Sequence, residues 1–369
     1  AKIPVAAWTE AVLRGRELTP QDGLLGVERL ESDVKLIYAV ASNCLVNQHM
    51  NVNRSARILR DESLVECLIV QDQFLTPTAR YADLVLPACT AFETWGIQDG
   101  WKYSDELILS PKLVEPLGES QSDFRICAGI AERLGIGAEF TEGRDEREWV
   151  DAILTLYRDR FPDLPDLDEF VRSGVGVHQK RVEDPVVALA DFRRDPEAHP
   201  LDTPSVKIEI FSLALHRLNR PDEIPAVPKY IEEWESPFGP EADRWPLQAL
   251  GSHSLSRVHS THANPPWLRA AFPQRVFLNP VDAAARGIED GDEVRVFNQR
   301  GAMVIPCRVT NRIRPGVVDI PQGAWWDPDE HGVDRGGATN VLTSQRLTPY
   351  AHGPAAHTIM VQVEREGAS

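Results

Sequence analysis

The sequence predicts an α/β chain in three parts. Residues 1–140 read as part of a doubly wound parallel sheet, 141–245 as a helical and proline-rich connecting region, and 246–369 as a β-rich segment. Apolar, β-branched runs alternate with a helical pattern before Pro87, which is how a parallel sheet with crossover helices reads. Proline-rich stretches such as PDLPDL and PDEIPAVP then interrupt short helical segments. After Trp245, five short apolar runs separated by turn residues give the pattern of a barrel or sandwich.

VKLIYAV, Val34–Val40, is short and apolar enough for a buried strand, and it ends at the polar turn SNCLVNQ. MNVNRSARILRDES follows with apolar residues at helical spacing. ECLIVQDQFLTPT is a second buried strand, and YADLVL, closed by Pro87, a third. In such sheets ligands gather beyond the carboxyl ends of strands. Ser42, Asn43 and Asn47 fall there after the first strand, Gln71 and Asp72 after the second. A carboxylate such as Asp72 can accept two N–H bonds from a guanine edge, while the amides both donate and accept. The same residue types are also ordinary turn formers. SDFRICAGIAERLGI is an amphipathic helix with Asp123 as its expected N-cap, and VKIEIFS is a candidate edge strand. Near the C-terminus, NPVDAAARGIEDGDEVRVFN holds one short helix ending at Gly287 and a DGD turn.

The chain has 369 residues, 42% hydrophobic and 26% charged, so it can bury a sizeable core. No run approaches the ~20 apolar residues of a membrane span. A formal charge of −17 with scattered basic residues argues against nucleic acid as a partner. Cys44, Cys67, Cys89, Cys127 and Cys307 show no zinc-like spacing and read as buried free thiols. His253, His259 and His262 lack neighbouring carboxylates or thiolates at ligand spacing, so no protein-only metal site is expected. No signal peptide is expected within this chain, since AKIPVAAWTEAV lacks a basic segment followed by an apolar one.

VQDQFLTPTARYADLVLPACTAFETWG resembles a characteristic segment of molybdopterin oxidoreductases, and LNPVDAAARGIEDGDEVRVFNQRGAM resembles their dinucleotide-binding barrel. SNCLVNQHMNVNR, SRVHSTHAN and QGAWWDPDEHGVDRGGATNVLTSQR narrow the likeness to the catalytic A subunits of anaerobic dimethyl sulfoxide reductases.

The resemblance implies a double-psi β-barrel at the C-terminus and a molybdenum bis(molybdopterin guanine dinucleotide) cofactor. By match of position, dinucleotide contacts fall on Asn47, Gln71, Asp72, His253, His259, Ser260, Thr261 and Asn340. It implies oxygen-atom transfer from dimethyl sulfoxide or similar S- and N-oxides in anaerobic respiration. It also implies an iron–sulfur electron-transfer subunit and a membrane-anchor subunit as partners, at the periplasmic face. The family's 4Fe-4S cysteines and serine molybdenum ligand have no match here, so the chain corresponds to the C-terminal half of such a subunit, with no catalytic or metal-ligating residue and no activity alone. A stand-alone nucleotide- or pterin-binding module, or a reductase of selenate, tetrathionate or another oxyanion, are the alternatives. Where many relatives carry Gly-Asn near the end, this chain has Gly353-Pro354, and that loop is left out of the expected contacts.

Overall fold

The computed structural model describes residues 1–100, 106–174, 176–179 and 187–367. It divides into two compact units, one of residues 1–70, 75–84 and 210–369, the other of 71–74 and 85–209.

The chain opens with helix α1 (Trp8–Arg14), strand β1 (Leu36–Val40), helix α2 (Val52–Leu59), and strands β2 (Cys67–Asp72) and β3 (Leu84–Pro87), ordered β1-β2-β3 in one sheet. Equivalent strand ends meet: Glu66 N donates to Lys35 O, Asp83 N to Leu68 O, and Ala88 N to Asp72 O, so the strands are parallel. Helix α2 starts at Asn51, whose side chain accepts from Arg54 N at 3.3 Å. Its apolar face (Val52, Ala56, Ile58 and Leu59) is buried, which is what the helical spacing demands.

The second unit holds β4 (Gly96–Asp99), β5 (Glu106–Ser110), helices α3 (Asp123–Arg133), α4 (Gly137–Thr141), α5 (Glu146–Arg160) and α6 (Leu167–Ser173), strand β6 (Val177–Gln179) and helix α7 (Ala190–Arg194). Strands β4-β5-β6 form an antiparallel sheet that the sequence reading did not anticipate. Leu107 and Leu109 of β5 pack with Val150 and Leu154 of α5 and Phe170 of α6 to make this unit's own core. The N-cap of α3 is Ser122, whose hydroxyl accepts from Arg125 N at 3.2 Å, and not Asp123 as expected.

The chain then returns to the first unit through α8 (Leu213–Leu218), β7 (Leu247–Leu250), α9 (Pro266–Ala271), β8 (Val276–Leu278), α10 (Pro280–Ala284), β9 (Glu293–Asn298), β10 (Gly301–Val309), β11 (Val317–Asp319) and β12 (Ile359–Arg365). VKIEIFS forms no strand. Val206 takes φ 55° and Ile208 and Ile210 are exposed, so the alternating pattern finds no neighbour to pair with. The six strands close into a barrel, β10-β8-β11-β7-β12-β9, which decides between barrel and sandwich. Pairs β8–β10 and β7–β11 are parallel and the others antiparallel.

Alternation along the strands sends Met303, Ile305 and Cys307 of β10, Val294 and Val296 of β9, and Val361 and Val363 of β12 into one core. Helix α2 joins that core, and Asn53 Nδ2 donates to Arg300 O at 3.1 Å, so the first strand–helix pair and the barrel pack together. All five cysteines are free, but only Cys89 and Cys307 are buried. Burial pushes the Cys307 thiol up to about 11.

Candidate functional site

The parallel pairing of β7 and β11 extends past both strands: Ile320 N donates to Leu250 O and Gln322 N to Ser252 O, each at 2.9 Å. Successive residues of an extended chain face opposite ways, and here that separates two cavities. Gly251 and Gln322 line one of about 370 Å³. Leu250, Ser252 and Pro321 line another of about 730 Å³.

Four expected contact residues meet at the first cavity. Asn47 comes from the turn after β1, His259 and Ser260 from a tight turn before α9, and Asn340 from the turn Thr339–Val341. Reciprocal backbone bonds between Val258 and Thr261 close the His259 turn. His259 takes a left-handed φ of 52°, a cost that a non-glycine residue pays only where surrounding contacts impose it. Gly323 is one such contact. Its φ is 91°, and a Cβ there would overlap the His259 carbonyl.

The Asn47 side chain is buried and bonded at both amide atoms: Oδ1 accepts from Trp326 N at 2.7 Å and Nδ2 donates to Ala324 O at 3.1 Å. Asn340 Nδ2 in turn donates to Asn47 O at 2.9 Å. Asn47 therefore locks the turn after β1 to the 324–326 loop, and Asn340 ties that same turn to residues 339–341. The Trp325 ring donates to Ser260 O at 2.8 Å, and Trp326 stacks on Tyr81 with centroids 6.2 Å apart, so both tryptophans brace the site.

The other expected contacts lie elsewhere. His253 lines the second cavity, although its ring lies 5.5 Å from that of His259. Thr261 is exposed at the base of the turn. Gln71 and Asp72 end β2 in the second unit. Gln71 is wholly buried and its amide donates to Asp123 Oδ1 at 2.5 Å. Burial raises the Asp72 carboxyl above its ordinary range, helped by the nearby Asp123 charge.

Three features of the first cavity escaped the sequence reading. His357, just before β12, lines it beside Pro354, so the Gly353-Pro354 loop does reach the site. Asp334 is buried and gathers the loop leading to Asn340, with Oδ1 accepting from Asp327 N and Gly336 N, and Oδ2 from Gly337 N and Ala338 N. Burial pushes its carboxyl up while those N–H groups pull it down. The glycines of RGGATN face the protein's own chain and not a ligand: a Cβ on Gly336 would overlap Trp325 O.

Among the described residues, no aspartate, glutamate, lysine or arginine lines the first cavity, in a chain of net charge −17. A lining of amide, hydroxyl and imidazole side chains suits a ligand that is rich in hydrogen-bonding groups. No trio of His, Cys, Asp or Glu among the described residues could hold a metal, and no helix among them is long and apolar enough to cross a membrane.

Two protein-family models match the chain. The molybdopterin oxidoreductase model covers residues 16–133, and the molydopterin dinucleotide binding domain model covers residues 247–360, which include five of the six barrel strands, the start of β12 and the cavity-lining residues other than Asn47 and Gln48. The chain belongs to the molybdopterin oxidoreductase family. It is 41% identical over 377 residues to dimethyl sulfoxide reductase DmsA of Haemophilus influenzae and 42% identical over 375 residues to DmsA of Escherichia coli. These alignments take in 99% and 98% of this chain but 46% of each relative, so the chain spans about half the length of those relatives. The fold is similar to that of acetylene hydratase from Pelobacter acetylenicus, with a TM-score of 0.72 at 23% identity, over 97% of this chain and 46% of that one.

Proposed function

We propose that this chain is the dinucleotide-holding portion of a molybdenum bis(molybdopterin guanine dinucleotide) reductase acting on dimethyl sulfoxide or similar S- and N-oxides. The carrying observation is the cavity lining without acidic groups among the described residues, to which Ser260, His259, His357 and Gly323 contribute. Its hydrogen-bonding groups fit a pyrophosphate and its flanking rings, and a carboxylate among them would repel the phosphates. The DmsA relatives, and the dimethyl sulfoxide/trimethylamine N-oxide reductase of Rhodobacter capsulatus at 39% identity, supply the substrate class.

In this reading His259, Ser260 and His357 hold one arm of the dinucleotide, with His253 and Thr261 as neighbours outside the cavity, while Asn47 and Asn340 keep its walls in place. On the second unit Asp72 serves a guanine contact, and Gln71, buried and bonded to Asp123, acts there only by holding the end of β2. Segments 1–140, 141–245 and 246–369 correspond to the family's α/β portion, connecting region and double-psi barrel. The cofactor, when bound, supplies oxygen-atom transfer through a change in molybdenum oxidation state. Residues of this chain orient it and exclude water from its dinucleotide end. The electron-transfer subunit with its iron–sulfur centres, the membrane anchor and the periplasmic location belong to this same proposal.

The test uses a full-length subunit containing this chain. Asp72→Ala there lowers molybdenum and guanine content per polypeptide more than it lowers the melting temperature. Unchanged content contradicts the assignment. The 369-residue chain alone gives no turnover with reduced viologen and dimethyl sulfoxide, and turnover above a metal-free control contradicts the reading.

A further inference from the structure

The second cavity differs from the first in its large apolar side chains and its charged residues. Leu250, Phe272, Phe277, Ile313 and Pro321 give it apolar walls, Leu255 stands exposed at its rim, and serines, His253 and Gln274 lie among them. Two cations stand at it without a carboxylate partner among the described residues, Arg257 and Arg312. The Arg257 guanidinium is half-buried, yet its hydrogen bonds all go to neutral oxygens: Nη2 to Gln274 Oε1 at 2.7 Å, Gln322 O at 3.1 Å and Pro321 O at 3.2 Å, and Nε to Gln322 O at 3.3 Å. Its Nη1 group makes no hydrogen bond among the described residues. Burying a cation without an anion is costly, and that cost is relieved when an anion arrives. Burial accordingly lowers the Arg257 pKa.

Of the other charged residues at this cavity, Arg308 is ion-paired and Asp319 is held by neutral donors. Arg308 pairs with Asp290 at 2.6 Å. Asp319, the acidic residue on the wall, accepts from Ser252 N at 2.9 Å and Ser252 Oγ at 2.7 Å. The cavity of about 730 Å³ is large enough for a ring or short chain.

We propose that this second cavity is a binding site, separate from the dinucleotide cavity, for a small amphipathic anion: an apolar ring or short chain bearing one carboxylate, sulfonate or phosphate. The apolar body lies against Phe272 and Phe277, and the anionic group takes the unused N–H groups of Arg257, with Arg312 at the rim.

The test is a calorimetric titration of the full 369-residue chain with naphthalene-2-sulfonate, alongside the neutral 2-naphthylmethanol and guanosine diphosphate. The sulfonate binds with a stoichiometry of about one, and the alcohol binds at least about tenfold more weakly, as loss of a charged hydrogen bond predicts. Guanosine diphosphate leaves the sulfonate isotherm unchanged. Arg257→Gln weakens binding about tenfold or more. Arg257 also supports local backbone, so Leu255→Glu is the second variant. Leu255 is 94% exposed, so a carboxylate there leaves the fold intact while repelling the anion. Equal binding of alcohol and sulfonate, no saturable binding, or no effect of Leu255→Glu overturns the proposal. Displacement by guanosine diphosphate also overturns it, by making the cavity an arm of the dinucleotide site; failure of guanosine diphosphate to bind anywhere bears only on the proposed function.

Discussion

Asn47 and Trp326 are 279 positions apart, yet the Trp326 backbone N–H donates to Asn47 Oδ1 at 2.7 Å. With the bond from Asn47 Nδ2 to Ala324 O, the side chain copies one rung of a β-ladder and sets the 324–326 loop against the turn after β1. Asn47→Ala removes both buried bonds and leaves Trp326 N without a partner. The expected loss of stability is about 2–3 kcal/mol, checked by urea denaturation, and a loss under about 0.5 kcal/mol contradicts the clamp.

Gly323 is tested by a single methyl group. Gly323→Ala puts a Cβ onto the His259 carbonyl at a left-handed φ, so the His259–Ser260 turn moves or the chain destabilises. The expected result is a lower melting temperature and weaker guanosine diphosphate binding. Wild-type values for both contradict the close approach.

Asp334 supplies four acceptor contacts to backbone N–H groups. Asp334→Asn keeps the shape but turns an NH2 toward two N–H donors, so about 2–4 kcal/mol is lost on unfolding in urea. A neutral outcome would mean that the loop is held by other contacts.

His49 gives the pH dependence. Its ring is 2% exposed, with Nδ1 facing Met50 O and Ser55 Oγ at 2.9 Å each and Nε2 facing Ala6 O at 3.1 Å. Burial holds its pKa below the ordinary value. The unfolded chain therefore binds a proton that the folded chain resists. This contribution to stability is present above about pH 6.5 and is lost as pH falls through the depressed folded value. Urea midpoints fall between about pH 7 and pH 5, and His49→Gln flattens that slope. An identical slope in the variant contradicts the assignment to His49.

The sequence showed the parts of the fold that apolar periodicity encodes. β1, β2 and α2 stand where apolar runs and helical spacing put them, and the turn-separated C-terminal runs became a barrel. It misled where one pattern has two outcomes. VKIEIFS alternates like a strand, but pairing needs a neighbour, and Ile208 and Ile210 remain in solvent. Asp123 can cap a helix, but Ser122 does so, and Asp123 accepts from Gln71. At the site, Asn47, His259, Ser260 and Asn340 were legible through motif likeness. His357 carried no local signal, since only the barrel's closure brings the residue before β12 to the ends of β7 and β11. Asp334 had a weak one, an aspartate ahead of a glycine pair.

The claim that the first cavity holds a dinucleotide is tested most directly by titrating the chain with guanosine diphosphate and comparing His357→Glu. His357 is exposed, so a glutamate there leaves the fold intact while placing the first carboxylate in the cavity. The account predicts saturable binding by the native chain and a loss of about tenfold or more in the variant, from repulsion of the phosphates. Equal affinity in both chains would mean that the nucleotide binds elsewhere, and the assignment of the cavity would be wrong.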